Sequence, residues 1–240
     1  MTKTLLGKIA PERVKSLDIE RPPQDLIDGF KALGDASGIV SDVMDHLGIA
    51  GTLPGSLLRP TIPGATIVGP AMTLRNTVLT GHPIDNARAH RNGMAEIEAH
   101  NIAEQGDVLV IEGVPGLSNM GGISAQVAKR QGEIGAIVSG GVRDAAHSRR
   151  VGFPVWATEV SPITGKWRIE TIEINGPVQI EGIRVNPGDL VVADDTGVCF
   201  IPRDRAREVL ELSRKRAAAE DARCDAIDRG VAIRDLPSAS

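Results

Sequence analysis

Two apolar segments joined by a predicted helix constrain the fold of this chain more than any other feature. Residues 106–113 (GDVLVIEG) predict a turn and a buried strand, and residues 123–131 predict a helix. Residues 133–144 (EIGAIVSGGVRD) predict a second strand that runs into a glycine turn. Strands joined by a connection of this length run parallel. The sequence therefore predicts an α/β fold with a parallel crossover.

The other patterns predict a helical start and a β-rich second half. Apolar residues on one face predict a helix after Asp35, with Asp35 or Ser37 as its N-cap and Gly48 at its end. In residues 55–78, which prolines and glycines interrupt, the segments 65–68 (ATIV) and 71–78 (AMTLRNTV) predict two strands joined by a turn. After Phe153 five segments predict short strands: 154–160, 167–174, 177–185, 189–194 and 197–202.

These elements predict a single mixed α/β domain with extensions at both ends. We expect the domain to cover residues 33–202 and a helical N-terminal extension to cover residues 1–32. The extension is charged and rich in proline, so we expect it to pack on the outside or on a neighbouring subunit. Residues 203–240 predict a projecting C-terminal helix, from near Arg203 toward Asp228, and a tail.

Composition excludes several classes of function. With 240 residues the chain can bury a core without disulfides, so we expect Cys199 and Cys224 to be reduced, with Cys199 in the core. Aromatic residues make up 2% of the chain, which argues against base-stacking platforms, and the net charge of −4 does not favour nucleic acid. No apolar stretch is long enough for a membrane span and the N-terminus is unlike a signal peptide, so we expect a cytoplasmic protein.

The segment that ends the second predicted strand carries the first candidate site. Two glycines after a buried strand place Arg143 and Asp144 at its carboxyl end, where α/β sheets usually bind ligands. Arg143 can bind a carboxylate through two parallel hydrogen bonds, and Asp144 can ligate a hard divalent cation. A plain surface turn also carries adjacent opposite charges, and the pair alone does not decide between the two interpretations.

A second glycine turn precedes the predicted helix. It comprises Gly121 and Gly122, followed by Ile123 and Ser124 at the start of the helix. Free backbone N–H groups at a helix start bind anions such as carboxylates. The alternative is a loop in which glycines serve only the backbone.

Four motifs in order resemble one protein family. They are GATIVGPAMTLR, GDVLVIEG, GGVRDAAHSRRVGFPVWA and GDLVVADDTGVCFIPRDRAREVL, and the resemblance covers roughly residues 33–230. The sequence resembles the RraA-like proteins, whose best-studied enzymes are 4-hydroxy-4-methyl-2-oxoglutarate / 4-carboxy-4-hydroxy-2-oxoadipate aldolases. The resemblance implies a single ββα swivelling-type domain. It also implies homotrimers or homohexamers with active sites at subunit interfaces, and Mg²⁺ or Mn²⁺ as the metal.

The resemblance also assigns roles to residues. It implies that Arg143 binds the pyruvyl part of a small 2-oxo-acid substrate, and that Asp144 binds the metal. It implies that residues 121–124 hold the substrate carboxylate and that Glu220 or Asp221 of a neighbouring chain assists at the metal. The implied reaction is retro-aldol cleavage of a 4-hydroxy-2-oxo acid or decarboxylation of oxaloacetate, each through a pyruvate enolate. Such an enolate needs its negative charge stabilised.

The sequence departs from the family pattern at one position. The aldolases carry an aspartate where this chain has Gly122, so one acid/base carboxylate is missing. His147 lies three residues after Asp144 and would share a helical face with it. Its imidazole could replace the missing proton carrier. The alternative is a surface histidine beside Arg149 and Arg150.

Other candidates carry less weight. His82, His90 and His100 lie in a polar stretch without zinc-site spacing, so we expect solvated or substrate-rim positions for them. Ser124 and Ser139 have no recognisable His–Asp partners in the sequence, which argues against a serine hydrolase.

A competing function is that of a non-catalytic regulator, because family members resembling RraA bind and inhibit a ribonuclease. The loss of an acid at position 122 favours this alternative, whereas the presence of Arg143 and Asp144 favours the enzyme.

Overall fold

The computed structural model describes residues 3–238. Short 3₁₀ turns span Pro11–Arg13, Arg203–Arg205 and Ile233–Asp235. Seven α-helices occur in the described residues: α1 (Gln24–Lys31), α2 (Ser37–His46), α3 (Pro83–Arg88), α4 (Glu96–Ile102), α5 (Gly122–Gln131), α6 (Ala145–Val151) and α7 (Ala206–Asp228).

Most strands belong to one large mixed sheet. The strands are β1 (Thr52–Pro54), β2 (Arg59–Pro60), β3 (Ile67–Val78), β4 (Val108–Glu112), β5 (Ser118–Met120), β6 (Gly135–Val142), β7 (Val155–Val160), β8 (Ile169–Ile174), β9 (Val178–Ile180), β10 (Ile183–Val185), β11 (Leu190–Ala193) and β12 (Gly197–Ile201). The sheet order is β1-β12-β11-β3-β4-β6-β7-β2, with β5 also paired to β6 and β8 to β3. Strands β9 and β10 form a separate hairpin.

The centre of the sheet is parallel and its flanks are antiparallel. Strands β3, β4, β6 and β7 run parallel, and the pairing of β4 with β6 confirms the predicted crossover through α5. Alternate residues of β4 face opposite sides of the sheet, and all of its apolar residues are buried. Leu109 and Ile111 pack in the core beneath α4 and α5, whereas Val108 and Val110 pack in the core that holds Trp156.

The structure corrects the prediction of separate strands at residues 65–68 and 71–78. Residues 67–78 form one continuous strand, β3, which passes through Gly69 and Pro70. The strand pairs with β11 up to Pro70 and with β4 from Ala71 onward, so the proline stands where the pairing changes. A Cβ on Gly69 would collide with the carbonyl of Gly106. Pro70 therefore marks the change of pairing from β11 to β4, and Gly69 allows the backbone to approach Gly106 closely; neither residue forms a turn.

The N-terminal extension packs on the domain of its own chain. Ile9 and Ile19 are buried in the core beneath α4 and α5, and Phe30 of α1 is buried with α2 and α7. Ahead of α1 the extension is mostly irregular, which limits the predicted helical character to one helix and one short turn. The C-terminal helix is present as predicted, and its first half packs on α1 and α2 through buried residues such as Leu210.

Asp194 anchors the start of α2. Neither Asp35 nor Ser37 is the N-cap, which is Ala36. Instead the backbone N–H and the hydroxyl of Ser37 donate to the carboxylate of Asp194, at 2.9 and 2.6 Å. Burial alone would raise the pKa of Asp194, but these hydrogen bonds hold it below its ordinary value. Asp194 also accepts a hydrogen bond from the Thr196 N–H at 2.8 Å and so caps the turn that follows β11.

Two further observations bear on the composition argument. Cys199 is buried as expected, and burial raises the pKa of its thiol to about 12, so the thiol is protonated at neutral pH. Within residues 3–238, none of the helices combines the length and the apolar character that crossing a membrane requires.

Candidate functional site

The candidate site lies where two adjacent parallel strands end. Ser118 and Met120 of β5 pair with the last residues of β6, so Gly121 and Arg143 emerge side by side. The Arg143 N–H donates to the carbonyl of Met120 at 3.1 Å and fixes this arrangement. Ligands of α/β sheets bind at such carboxyl ends.

The predicted glycine turn after the second strand lies inside the strand. Strand β6 continues to Val142 with an irregularity between Val138 and Gly141, and Gly140 has a φ of +139°. A Cβ on Gly140 would meet the amide of Asn119 at 2.6 Å, and one on Gly141 would meet the carbonyl of Leu117 at 2.5 Å. The glycines therefore allow β6 to lie against the preceding loop, and the chain turns two residues later.

Asp144 turns the chain from β6 into α6. It adopts a left-handed conformation with a φ of +58° and precedes the first residue of the helix. Its Oδ2 accepts a hydrogen bond from the N–H of Gly122 at 3.1 Å and lies 3.6 Å from Nε of Arg143. The side chain is about half exposed, so its carboxylate remains available to a ligand.

Gly121 and Gly122 make room for these contacts. A Cβ on Gly121 would lie 3.1 Å from Nε of Arg143. A Cβ on Gly122 would lie only 2.8 Å from Cβ and Cγ of His147. The space that a side chain at position 122 needs is therefore occupied by His147, which gives a physical reason for glycine at this position.

A pocket of about 180 Å³ opens beside this turn. It brings together all four residues predicted as an anion site, both members of the predicted Arg–Asp pair, and residues that sequence reasoning did not assign. Its lining residues are Glu96, Ile97, His100, Gly121, Gly122, Ile123, Ser124, Val127, Arg143, Asp144 and Lys166. Helix α5 begins at Gly122, and the N–H groups of a first helical turn have no partners within the helix. The N–H groups of Ile123 and Ser124 therefore lie in position to bind an anion at the pocket.

Lys166 reaches the pocket through a contact between distant segments. Thr164 forms an isolated bridge with Ser118 of β5, and a Cβ on Gly165 would meet the carbonyl of Ser118 at 2.5 Å. This close approach brings the exposed Lys166 into the lining of the pocket, which Arg143 also lines. Local sequence gave no signal for this position.

Glu96 is a carboxylate of the pocket that sequence reasoning missed. It begins α4, one turn before His100, and is half-buried. Burial raises the pKa of Glu96 above its ordinary value, although the charges of Lys166 and Arg143 act in the opposite direction. The pocket thus contains a carboxyl group that holds its proton to a higher pH than an exposed glutamate does.

The structure corrects the expectation for His100. This histidine is fully buried instead of solvated, although it belongs to the lining of the pocket as a substrate-rim position would. Its Nδ1 lies 2.7 Å from Oε1 of Glu133, and its Nε2 lies 2.8 Å from Oγ of Ser124. Ser124 therefore has a His–Glu partner pair, contrary to the sequence interpretation.

His147 lies outside the pocket lining. Its Nε2 is 3.0 Å from Oε1 of Gln126, and its Nδ1 is 2.7 Å from the guanidinium of Arg150. Both ring nitrogens thus have partners on the exposed surface of α5 and α6. The predicted proximity to Asp144 holds along the chain, since the His147 N–H donates to the carbonyl of Asp144 at 2.8 Å.

Glu220 and Asp221 are not brought to the pocket of their own chain. Both lie on α7, and Glu220 borders a different depression with Asp35 and Asp42. In residues 3–238, no group of three or more His, Cys, Asp or Glu side chains is arranged to hold a metal ion. The exposed carboxylate of Asp144 still fits Mg²⁺, which proteins often hold by one or two carboxylates with water and substrate oxygens.

The remaining candidates, His82, His90 and Ser139, lie outside the lining of the pocket. Nδ1 of His82 accepts from the Ile84 N–H at the start of α3, and His90 is exposed with a φ of +53°. Oγ of Ser139 donates to Glu181 at 2.6 Å, so this serine has no histidine partner.

Comparison with known proteins identifies the family. A family model described as "RraA-like: Aldolase/RraA" matches residues 37–200. The chain belongs to the RraA-like family. Two solved structures of similar fold illustrate the match. RraAS2 of Streptomyces coelicolor, described as an unusual member of the RNase ES inhibitor RraA protein family, is 27% identical with a TM-score of 0.72, covering 85% of this chain and 98% of its own. An uncharacterized protein from Pseudomonas syringae is 27% identical with a TM-score of 0.74, covering 90% and 98%.

Two relatives in sequence differ in how much of their own length matches this chain. A Halalkalibacterium halodurans protein named "Putative 4-hydroxy-4-methyl-2-oxoglutarate aldolase" is 31% identical over 213 residues, which are 88% of this chain and 92% of that protein. Protein DlpA of Legionella pneumophila is 33% identical over 176 residues, which are 72% of this chain. The match spans only 27% of DlpA, so this RraA-like chain corresponds to about a quarter of that protein.

Proposed function

We propose that this RraA-like protein is a divalent-metal-dependent carbon–carbon lyase that acts on a small 2-oxo acid. The observation that carries the proposal is the convergence of Arg143, Asp144 and the start of α5 on one small pocket. The name of the Halalkalibacterium halodurans relative supports the same class of reaction. The substrates proposed are 4-hydroxy-2-oxo acids and oxaloacetate, and both reactions give a pyruvate enolate.

The charges of the pocket suit an anionic substrate of this size. Arg143 and Lys166 supply positive charge, and the N–H groups of Ile123 and Ser124 supply hydrogen-bond donors to a carboxylate. A cavity of about 180 Å³ admits an acid of a few carbons but not a nucleotide. The shortage of aromatic residues agrees with a ligand bound through charge instead of ring stacking.

Metal binding and substrate binding fall to different residues in the proposed reaction. Asp144 would hold Mg²⁺ or Mn²⁺, and the bound metal would polarise the 2-oxo group as a Lewis acid. Arg143 binds the pyruvyl carboxylate and stabilises the negative charge that develops on the enolate oxygen. In the proposed homotrimer or homohexamer, Glu220 or Asp221 of a neighbouring subunit would face the metal. We propose a cytoplasmic location for the assembly.

The decisive test substitutes the proposed metal ligand. Asp144→Ala is expected to abolish Mn²⁺ binding in calorimetry and to lower kcat for 4-hydroxy-4-methyl-2-oxoglutarate and oxaloacetate by about 10²–10³-fold or more. The carboxylate supplies the metal ligand, and no neighbouring side chain replaces it in the same turn. The matched control is Asp204→Asn, an exposed carboxylate outside the pocket. A wild-type protein without turnover, together with unchanged metal binding in Asp144→Ala, would overturn the proposal.

A second candidate function is a non-catalytic regulator that binds and inhibits a ribonuclease. The absence of a carboxylate at position 122 favours it, as does the fold shared with RraAS2 of Streptomyces coelicolor. A regulator needs neither a metal nor a proton carrier. Capture of a ribonuclease from lysate and inhibition of its activity, combined with no metal binding in calorimetry, would favour this function over the lyase.

A further inference from the structure

A buried row of three polar side chains ends at the pocket. Oγ of Ser124 lies 2.8 Å from Nε2 of His100, whose Nδ1 lies 2.7 Å from Oε1 of Glu133. The three residues come from α5, from α4 and from the turn that precedes β6. His100 and Ser124 both line the pocket, and Glu133 lies behind them with 3% exposure.

The direction of these hydrogen bonds depends on the tautomer of His100, which an ionised Glu133 sets. An ionised Glu133 only accepts, so Nδ1 of His100 carries the hydrogen. Nε2 then has a free lone pair, which accepts the hydroxyl hydrogen of Ser124. The lone pairs of Ser124 Oγ remain free to accept a hydrogen from a ligand in the pocket.

A role in packing alone does not explain this arrangement. Within the described part of the chain, Oε2 of Glu133 is buried without a hydrogen-bond partner. Leaving a buried carboxylate oxygen unpartnered costs stability, and apolar side chains of similar size would fill the same space at least as well. Such costs are typical of functional sites.

We propose that Ser124, His100 and Glu133 form the proton relay of the cleavage reaction, an inference that rests on the proposed function. Ser124 and His100 are the catalytic residues of the relay. Glu133 is a positioning residue, because it fixes the tautomer of His100 and stabilises the imidazolium. The relay supplies the acid/base function that glycine at position 122 cannot supply.

The relay moves one proton out and back. The substrate 4-hydroxyl gives its proton to Oγ of Ser124 while the Ser124 hydroxyl proton passes to Nε2 of His100. The O–H electron pair becomes the π bond of the new carbonyl group, and the electrons of the C3–C4 bond become the enolate of pyruvate. The imidazolium then returns the proton through Ser124 to C3 of the enolate, which restores the starting protonation state and yields pyruvate.

Two other groups compete for this role, and the pocket geometry separates them. His147 has both ring nitrogens engaged by Gln126 and Arg150 outside the lining. Glu96 lines the pocket and keeps its proton to a raised pH, but no side chain among the described residues hydrogen-bonds its carboxyl group, so nothing links it to a second proton carrier. We therefore assign the proton transfer to Ser124 and include Glu96 in the test.

The experiment separates proton transfer from binding. Wild type, Ser124→Ala, Glu133→Gln and Glu96→Gln are compared in three assays with Mg²⁺: turnover of 4-hydroxy-4-methyl-2-oxoglutarate, exchange of the pyruvate methyl hydrogens in D₂O by NMR, and oxalate binding by calorimetry. The control is Ser213→Ala, which removes another buried hydroxyl, one without a hydrogen-bond partner among the described residues. Circular dichroism verifies that each variant is folded.

The relay predicts a distinct set of results. Ser124→Ala and Glu133→Gln lower kcat and methyl exchange by about 10²–10⁴-fold, and oxalate affinity changes by less than about threefold. Ser213→Ala matches wild type. A folded Ser124→Ala protein with at least a third of wild-type exchange would overturn the relay, as would loss of exchange in Glu96→Gln alone. A wild-type protein without turnover or exchange would instead overturn the proposed function, and the relay with it.

Discussion

Two histidines flank the start of α5 and have opposite surroundings. His100 contacts Ser124, is fully buried and has a carboxylate behind it. His147 lies against Gly122 and Gln126, about half a helical turn around α5 from Ser124, and its ring contacts exposed polar groups. Sequence proximity to Asp144 made His147 a candidate proton carrier, whereas the structure places His100 in the pocket.

The comparison shows why proximity along the chain is a poor guide to the chemistry of a histidine. A histidine becomes a useful acid/base group when one ring nitrogen is fixed by a partner and the other reaches the ligand, either directly or through a hydroxyl group. His100 meets both conditions through residues 24 and 33 positions away in the chain. Both ring nitrogens of His147 are hydrogen-bonded to neighbours at the surface, and its side chain fills the space beside Gly122.

The largest expected difference between the two histidines is in stability. His100→Ala leaves the buried carboxylate of Glu133 without its partner, so we expect the free energy of unfolding to fall by about 3–5 kcal/mol. His147→Ala removes only half-exposed contacts, so we expect the free energy of unfolding to change by no more than about 0.5 kcal/mol. Urea denaturation of both variants measures the difference. Equal losses would show that the two sites are energetically alike.

A smaller effect is expected where His147 meets Gly122. Gly122→Asp forces a Cβ into the space of the His147 side chain, so we expect a loss of about 1–3 kcal/mol in the free energy of unfolding. In a His147→Gly background the same substitution should cost at least about 1 kcal/mol less, because both obstructing atoms of His147, Cβ and Cγ, are gone. A double-mutant cycle by denaturation measures this coupling. Additive losses in the free energy of unfolding would mean that the His147 side chain is not the reason for glycine at position 122.

The smallest expected effect concerns charge on the His100 side of the pocket. The raised pKa of Glu96 means that this carboxyl is neutral at mildly acidic pH and negative above its folded pKa. Oxalate affinity should therefore weaken as pH rises through that pKa, by up to about fivefold, and Glu96→Gln should remove this dependence. Calorimetric titrations across pH measure it, with Asp204→Asn as the control. A pH dependence that persists in Glu96→Gln would exclude Glu96 as its source.

The same shift has a consequence for stability. Since folding raises the pKa of Glu96, the protonated form favours the folded state. The resulting stabilisation is complete below the pKa of Glu96 in the unfolded chain and is lost as pH rises through the folded pKa. Asp194, whose pKa is lowered, has the opposite sign: its stabilisation is present above the unfolded pKa and is lost as pH falls through the folded pKa.

Predictions from the sequence were accurate where the signal is local. Apolar runs and glycine positions predicted β4, α5, β6 and the parallel crossover, because burial and backbone turns depend on neighbouring residues. The same local reasoning failed at Gly69 and Pro70, where a change of pairing partner, and not a turn, requires those residues. It failed again at the start of α2, where the N–H of Ser37 donates to the carboxylate of Asp194, 157 positions away in the chain.

The sequence by itself determined the α/β class, the parallel crossover through α5, and the position of Arg143 and Asp144 at the end of a buried strand. These follow from periodicity and spacing, which a linear pattern contains. Only the tertiary structure decided that Glu96 and Lys166 share a pocket with that turn, and that His100 bonds Glu133 and Ser124. Such contacts depend on how α4 packs on α5 and on which long-range groups exclude water, and neither is written in the spacing of residues along the chain.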